Sequence, residues 1–210
     1  MTIRLVVEGL GARRGEALIF RNLRFSLGPG EALLVTGRNG SGKSTLLRVL
    51  AGLLPAEEGR VRLDGAADPD ARVGESCHYL GHRNAMKRDL TVEENLRFWA
   101  AFTGKGESLV VEAALAAVGL EAIGHLPFGY LSAGQQRRIA IARLLVSHRP
   151  IWLIDEPTAA LDEASERMVE RLIATHRAAG GLAIAATHQP LDVPGATRLE
   201  MLGFPAEEEA

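Results

Sequence analysis

The sequence predicts an α/β fold in which a mixed-sheet core carries an N-terminal antiparallel β lobe and a helical subdomain. Three observations predict it. The first sixty or so residues read as short apolar strands broken by turns. A glycine-rich turn after residue 36 then separates a strand from a helix. The last third alternates wholly apolar runs with an amphipathic helix, the pattern of parallel strands covered on both faces. With 210 residues, 47% of them hydrophobic, the chain is long enough for one substantial core, so a single domain over 1–210 is expected. Core and β lobe are expected over about 1–80 and 147–210, and the helical subdomain over about 82–146.

In chain order, strands are expected at Ile3–Val7, Leu18–Phe25 and Ala32–Thr36, the last two separated by Gly28-Pro29-Gly30. A helix follows from about Lys43 to Ala51, with Leu46, Leu47 and Leu50 on one face and Gly52 and Pro55 past its end. From about Thr91 to Val146 the pattern is helical. It opens on Thr91-Val92-Glu93-Glu94, whose spacing suits a capping box, and is cut by Gly104, Gly106, Gly119 and Gly124. A strand at Ile151–Ile154, a helix near Asp162–Ala178, a strand at Leu182–Ala186 and a strand near Thr197–Leu202 follow. The acidic stretch Glu207–Glu209 reads as a solvated end.

Bulk properties narrow the function classes. A net charge of −2 and a pI near 6.3 leave no basic excess, which argues against a nucleic-acid partner. Cys77 is the only cysteine, so no intramolecular disulfide forms, and no charged-then-apolar leader opens the chain. A cytoplasmic location is expected. Apolar runs such as Ile151–Ile154 fall far short of the roughly 20 residues needed to cross a bilayer. No direct membrane span is expected, so any membrane role must come through a partner.

Gly37-Arg38-Asn39-Gly40-Ser41-Gly42-Lys43-Ser44, followed by Thr45, matches the phosphate-binding loop pattern where that pattern must sit, between a strand and a helix. Backbone N–H groups have to converge on phosphate oxygens, and Gly37, Gly40 and Gly42 permit the tight turns and close approach. Lys43 adds a point charge for the outer phosphates, Ser44 a hydroxyl for Mg²⁺, and the helix its positive dipole end. ATP and Mg²⁺ are the expected ligands. Ile151-Trp152-Leu153-Ile154-Asp155-Glu156 is an apolar strand ending in two acids, where open α/β sheets bind ligands. Adjacent side chains of an extended segment point opposite ways, which suits the acids to different tasks. Asp155 is the candidate Mg²⁺ holder and Glu156 the residue that orients or deprotonates the attacking water. Taken alone, the pair is better read as an ordinary strand ending in a solvated acidic turn; beside the phosphate loop the catalytic reading prevails.

Leu131-Ser132-Ala133-Gly134-Gln135, continuing Gln136-Arg137-Arg138, resembles the signature motif of ABC-type ATPases, with Ala133 where glycine is usual. Read from its residues alone, Ser132 and Gln135 form a capping box on a helix carrying Ile139, Ala142 and Leu145. A helix so capped also presents free N–H groups to a phosphate. The resemblance implies a phosphate-loop NTPase fold of RecA-like type and a head-to-tail dimer with a second copy, the signature acting on ATP held by that copy. Ala159-Ala160-Leu161-Asp162 resembles the family's D-loop, with Asp162 its acid, and His188 after Thr187 resembles the histidine that meets the γ-phosphate. A lone histidine at a strand end is otherwise an ordinary surface residue.

Two departures narrow the resemblance. Tyr79-Leu80-Gly81-His82 places a histidine where most ABC ATPases have the glutamine that meets Mg²⁺ and water, and imidazole can ligate a metal or bond water. Arg13-Arg14-Gly15 stands where the family stacks an aromatic ring on adenine. A guanidinium plane also stacks on a base, so Arg14 is the candidate, with Arg13 and Phe20 as alternatives. Together with the signature, these departures resemble the CcmA family, ATP-binding subunits of the haem exporter of cytochrome c maturation. That resemblance implies an integral membrane permease as partner and a peripheral place on the cytoplasmic face of the bacterial inner membrane. The alternatives are an ABC exporter of another substrate, a soluble ABC ATPase outside transport, and a small phosphate-loop kinase.

Overall fold

The computed structural model describes residues 3–66, 72–103 and 110–203. The expected breaks at Gly104 and Gly106 and the acidic stretch at 207–209 lie outside the described residues. The chain opens on a hairpin of β1 (Arg4–Arg14) and β2 (Ala17–Leu27), with β4 (Glu58–Asp64) added antiparallel to β1, so the lobe sheet runs β2-β1-β4. Both hairpin strands are longer than their sequence patterns. Gly9 and Gly11 look like breaks, but irregular register between Val7 and Ala12 absorbs them and the ladder continues to Arg14↔Ala17. Strand β4 is not expected from the sequence, because as an edge strand it keeps most of its side chains in solvent and shows no apolar run.

The larger sheet contains β3 (Ala32–Thr36), β5 (Cys77–Leu80), β6 (Ile151–Asp155), β7 (Leu182–Ala186) and β8 (Thr197–Glu200) in the order β5-β6-β7-β3-β8. Every ladder in it is parallel. The expected mixture of strand directions is therefore divided between two sheets rather than blended in the core.

Strand alternation sends alternate residues to two cores. On one face Leu33, Val35, Ile151, Leu153 and Ile184 pack with the β lobe and α1 (Lys43–Leu50). On the other, Ala32, Leu34, Trp152, Ile154 and Ala185 pack with α5 (Glu163–Ala178) and the helical segment. Leu46, Leu47 and Leu50 of α1 are at most 1% exposed, and each such burial contributes about 1.5–3 kcal/mol relative to exposure.

The helical segment comprises α2 (Val92–Thr103), α3 (Val111–Ala117) and α4 (Ala133–Ala142) with two short 3₁₀ turns between the last two. The capping box at Thr91 forms: its Oγ1 accepts from the Glu94 amide at 3.1 Å and its own amide donates to Glu94 Oε2 at 2.7 Å. Helix α4 ends at Ala142, so Leu145 packs against the core from a turn rather than from the helix. All five core strands are parallel, so their carboxyl ends share one edge, the place where open α/β sheets bind ligands.

Candidate functional site

Strand β3 delivers the loop 37–42 at that edge, and α1 begins at Lys43. Gly42 is the N-cap, with φ 100°, and no side chain caps the helix, so its first amides remain available to an anion. At Gly37, with φ 135°, a Cβ would run into the Met201 carbonyl, so the loop requires glycine there. Lys43 is 6% exposed and bridges the loop, its Nζ donating to Gly37 O at 2.7 Å and Arg38 O at 3.1 Å. The buried Ser41 hydroxyl has no hydrogen-bond partner, whereas Arg38, Asn39 and Gly40 are exposed.

The two acids differ as their environments differ. Asp155 ends β6 at 1% exposure, and neither carboxylate oxygen has a hydrogen-bond partner. The nearest cation-forming group is His82, whose Nε2 lies 3.6 Å from Oδ2. Glu156 has left the strand with φ 49°, its amide donating to Ala186 O at 2.8 Å. The separation of the acids thus comes from a backbone turn, not from strand alternation. The Glu156 carboxylate meets His188, with Nδ1 at 2.8 Å from Oε1.

A cleft of about 500 Å³ joins part of the loop to Glu156, while Gly37, Arg38, Ser41 and Asp155 are not among its lining residues. Lys43, Ser44, Thr45, Asn39, Gly40 and Gly42 line it together with His82, Glu156, His188 and Arg14. Of the three candidates for the base, only Arg14 lines the cleft, alongside Ile19, which sequence reasoning missed. Arg13 instead donates to Glu16 O and pairs with Glu57, and Phe20 is buried in the lobe core.

A divalent ion fits here. Among the described residues no cluster of three or more His, Cys, Asp or Glu could hold a metal unaided. Asp155 nevertheless offers two buried oxygens without partners, and Ser44 lines the cleft. Mg²⁺ typically takes one or two protein oxygens and completes its shell with phosphate and water, which suits such a partial set.

The sequence model for the family described as ABC transporter matches residues 20–159. The chain belongs to the ABC transporter family, and within it to the CcmA group. The cytochrome c biogenesis ATP-binding export protein CcmA of Rhizobium meliloti (strain 1021) is 60% identical over 205 residues, spanning 96% of this chain and 99% of its own. That of Agrobacterium fabrum (strain C58 / ATCC 33970) is 57% identical over 208 residues, spanning 97% and 98%. Among solved structures, an ABC transporter ATP-binding protein described from Pyrococcus furiosus superposes with a TM-score of 0.82 at 23% identity, over 94% of this chain and 97% of its own. The ATP-binding cassette MJ0796, a dimer in a post-hydrolysis state bound to ADP and Pi, superposes at 0.75 with 26% identity, over 88% of each chain.

Within this ABC fold the signature residues stand apart from the cleft. Leu131 is buried and anchors the start of α4, while Ser132 and Ala133 are exposed. Ser132 Oγ accepts from the Gln135 amide at 3.2 Å and the Ser132 amide donates to Gln135 Oε1 at 2.9 Å, completing the capping box. A Cβ at Gly134 would approach Ala160 O at 3.1 Å, so the signature turn packs on the segment leading to Asp162. Asp162 caps α5, accepting from the Ser165 amide at 2.8 Å, and these Ser165 hydrogen bonds hold its carboxyl below the usual range. None of Leu131–Gln135 or Asp162 lines the 500 Å³ cleft.

Besides Ile19 and Arg48, which line the cleft, Arg137 escaped sequence reasoning. Arg137 is 5% exposed and donates to the carbonyls of Gly81, Asp155 and Glu156 at 2.8, 2.6 and 2.7 Å. No local pattern marks it, because Arg137 stands in a charged run and its acceptors are distant along the chain.

Proposed function

We propose that this chain is the ATP-hydrolysing subunit of an ABC transporter that energises haem export for c-type cytochrome biogenesis. The observation that carries the reading is the shared cleft, in which Lys43 and the free amides of α1 face the Glu156–His188 pair. Loop amides and Lys43 bind the ATP phosphates, and Arg14 with Ile19 flanks the base. Ser44 and Asp155 would hold Mg²⁺, which would supply positive charge to offset that of the phosphates. Glu156 accepts the proton of the water attacking the γ-phosphorus, and His188 orients the carboxylate through its 2.8 Å contact while facing the γ-phosphate. His82, beside Asp155, takes the place of the family's glutamine in bonding water.

The exposed Ser132 turn closes on ATP bound to a second, head-to-tail copy, which explains why these residues stay out of their own cleft. Among the described residues no helix is long and apolar enough to cross a membrane, so transport requires an integral membrane permease. A groove of about 560 Å³ lined by Tyr79, Arg83, Ala85 and Trp99 lies beside His82. Next to it Phe98 and Phe102 stack at 5.7 Å, and both are at least half exposed. In this reading the groove is the permease's docking surface, and the chain sits peripherally on the cytoplasmic face of the inner membrane. The haem assignment rests on the Ala133, His82 and Arg14 departures and on the relatives' names as cytochrome c biogenesis export proteins. The test replaces the resident gene by one encoding Lys43→Ala and purifies the complex from membranes. Loss of covalent haem on c-type cytochromes, with the permease still co-purifying, is expected; intact maturation overturns the reading.

A further inference from the structure

Arg137 is an ionisable side chain enclosed by protein on nearly all sides. It lies on α4, five residues beyond the cap Ser132. One guanidinium spans three elements: Nη1 donates to Gly81 O at 2.8 Å, and Nη2 donates to Asp155 O at 2.6 Å and to Glu156 O at 2.7 Å. Gly81 immediately precedes His82, and the other two acceptors belong to buried Asp155 and to Glu156, which lines the cleft. A rigid planar fork carrying several donors can serve such divergent carbonyls at once, and an ammonium group cannot match that geometry.

Glu156 is where this matters. Its φ of 49° is one that a residue with a Cβ adopts at a cost and keeps only where its surroundings over-determine it. Two peptide planes flank its Cα, and both are tied. The plane before it is held by Asp155 O accepting from Arg137 and by the Glu156 amide donating to Ala186 O; the plane after it is held by Glu156 O accepting from Arg137. The direction in which its side chain leaves the backbone follows from these constraints, and His188 then meets the carboxylate.

We propose that Arg137 is a positioning residue for the hydrolytic carboxylate, locking the Glu156 backbone from the signature helix. The inference rests on Glu156 being the proton acceptor in ATP hydrolysis. Because Ser132 and Arg137 share one helix, a shift of α4 as its N-terminus seats on the second copy's nucleotide is delivered to Glu156 and to the segment bearing His82. Binding at one site thereby adjusts the acid of the other.

The experiment compares wild type, Arg137→Gln, Arg137→Lys, Arg137→Ala and Glu156→Gln, each as the full chain purified with its permease, for ATP turnover per nucleotide-binding site, KM for ATP and nucleotide Kd. Arg137→Gln and Arg137→Lys are expected to lose kcat by roughly 10- to 100-fold, the scale of a small misplacement of a reacting group, with KM and Kd within about twofold of wild type. Millimolar guanidinium ion is expected to restore part of the turnover of Arg137→Ala and none of that of Glu156→Gln. Wild-type kcat per binding site in Arg137→Gln, beside an inactive Glu156→Gln, overturns the positioning role alone. A kcat loss matched by an equal loss of nucleotide affinity overturns it too. Wild-type turnover in Glu156→Gln instead removes the assignment on which the inference rests.

Discussion

His188 Nδ1 lies 2.8 Å from Glu156 Oε1, and the His188 amide faces the other carboxylate oxygen at 3.5 Å. The two residues follow the adjacent parallel strands β6 and β7, whose last paired residues are Asp155 and Ala186. An ionised carboxylate only accepts hydrogen bonds, so Nδ1 carries the hydrogen in this contact. The sheet edge therefore presents an oriented acid in the cleft that the phosphate loop also lines.

Glu156→Gln keeps the size and the hydrogen-bonding capacity of the side chain but removes its basicity. ATP turnover is expected to fall by roughly 10²–10⁴-fold, the usual contribution of a positioned proton acceptor. Nucleotide binding should persist, with a dimer accumulating in ATP. Turnover measured beside size-exclusion chromatography in ATP checks this, and undiminished hydrolysis transfers the proton-accepting role to His188.

Lys43→Ala removes the cation and also releases the Gly37 and Arg38 carbonyls that its Nζ bridges. Nucleotide affinity is expected to drop by at least about tenfold, consistent with a lost charge-assisted contact of roughly 1.5–3 kcal/mol. Titration with a fluorescent ATP analogue measures it, and wild-type affinity would discredit the phosphate loop.

Most of the fold and much of the cleft were legible because their signals are local. Loop 37–42 needs glycines at fixed steps, β6 announces itself as an apolar run ending in acids, and α2 and α4 open on capping boxes formed within four residues. What stayed hidden depends on distant partners. Strand β4 owes its existence to pairing with β1, and its solvated face carries no apolar pattern. The left-handed turn at Glu156 is enforced by Ala186 and Arg137, 30 and 19 residues away along the chain, and no local rule expects a glutamate there to leave extended geometry. Arg137 itself reads as one more arginine in a charged motif until its three acceptors converge.

Reversing charge at the groove separates coupling from chemistry. Arg83 lines the groove beside Trp99, and Lys87 lies on the same segment, its amide donating to Asn95 Oδ1 at 2.8 Å. Arg83→Glu with Lys87→Glu is expected to abolish transport-dependent cytochrome maturation while ATP turnover of the isolated chain stays within about twofold, since surface charges away from the chemistry rarely alter stability by more than about 0.5 kcal/mol. Retained maturation removes this surface as the docking site.

Two histidines make the fold sensitive to acid. His78 in β5 is 5% exposed with Nε2 2.7 Å from Ser147 O, and burial pulls its pKa from 6.5 down to about 4. His176 in α5 stacks on Trp152 at 4.1 Å, and burial likewise lowers it to about 4. Both fold as neutral rings, so below pH 6.5 the unfolded chain binds protons that the folded chain refuses. Their contribution is complete above the unfolded value and is lost as pH falls from about 6.5 towards about 4. The slope approaches about 1.4 kcal/mol per pH unit for the fully enclosed His78 and is smaller for the partly solvated His176. Urea unfolding at steps between pH 7.5 and 4.5 measures it. His78→Asn should be less stable than wild type at pH 7.5, yet show a shallower loss on acidification; an unchanged slope would show that His78 already titrates alike in both states.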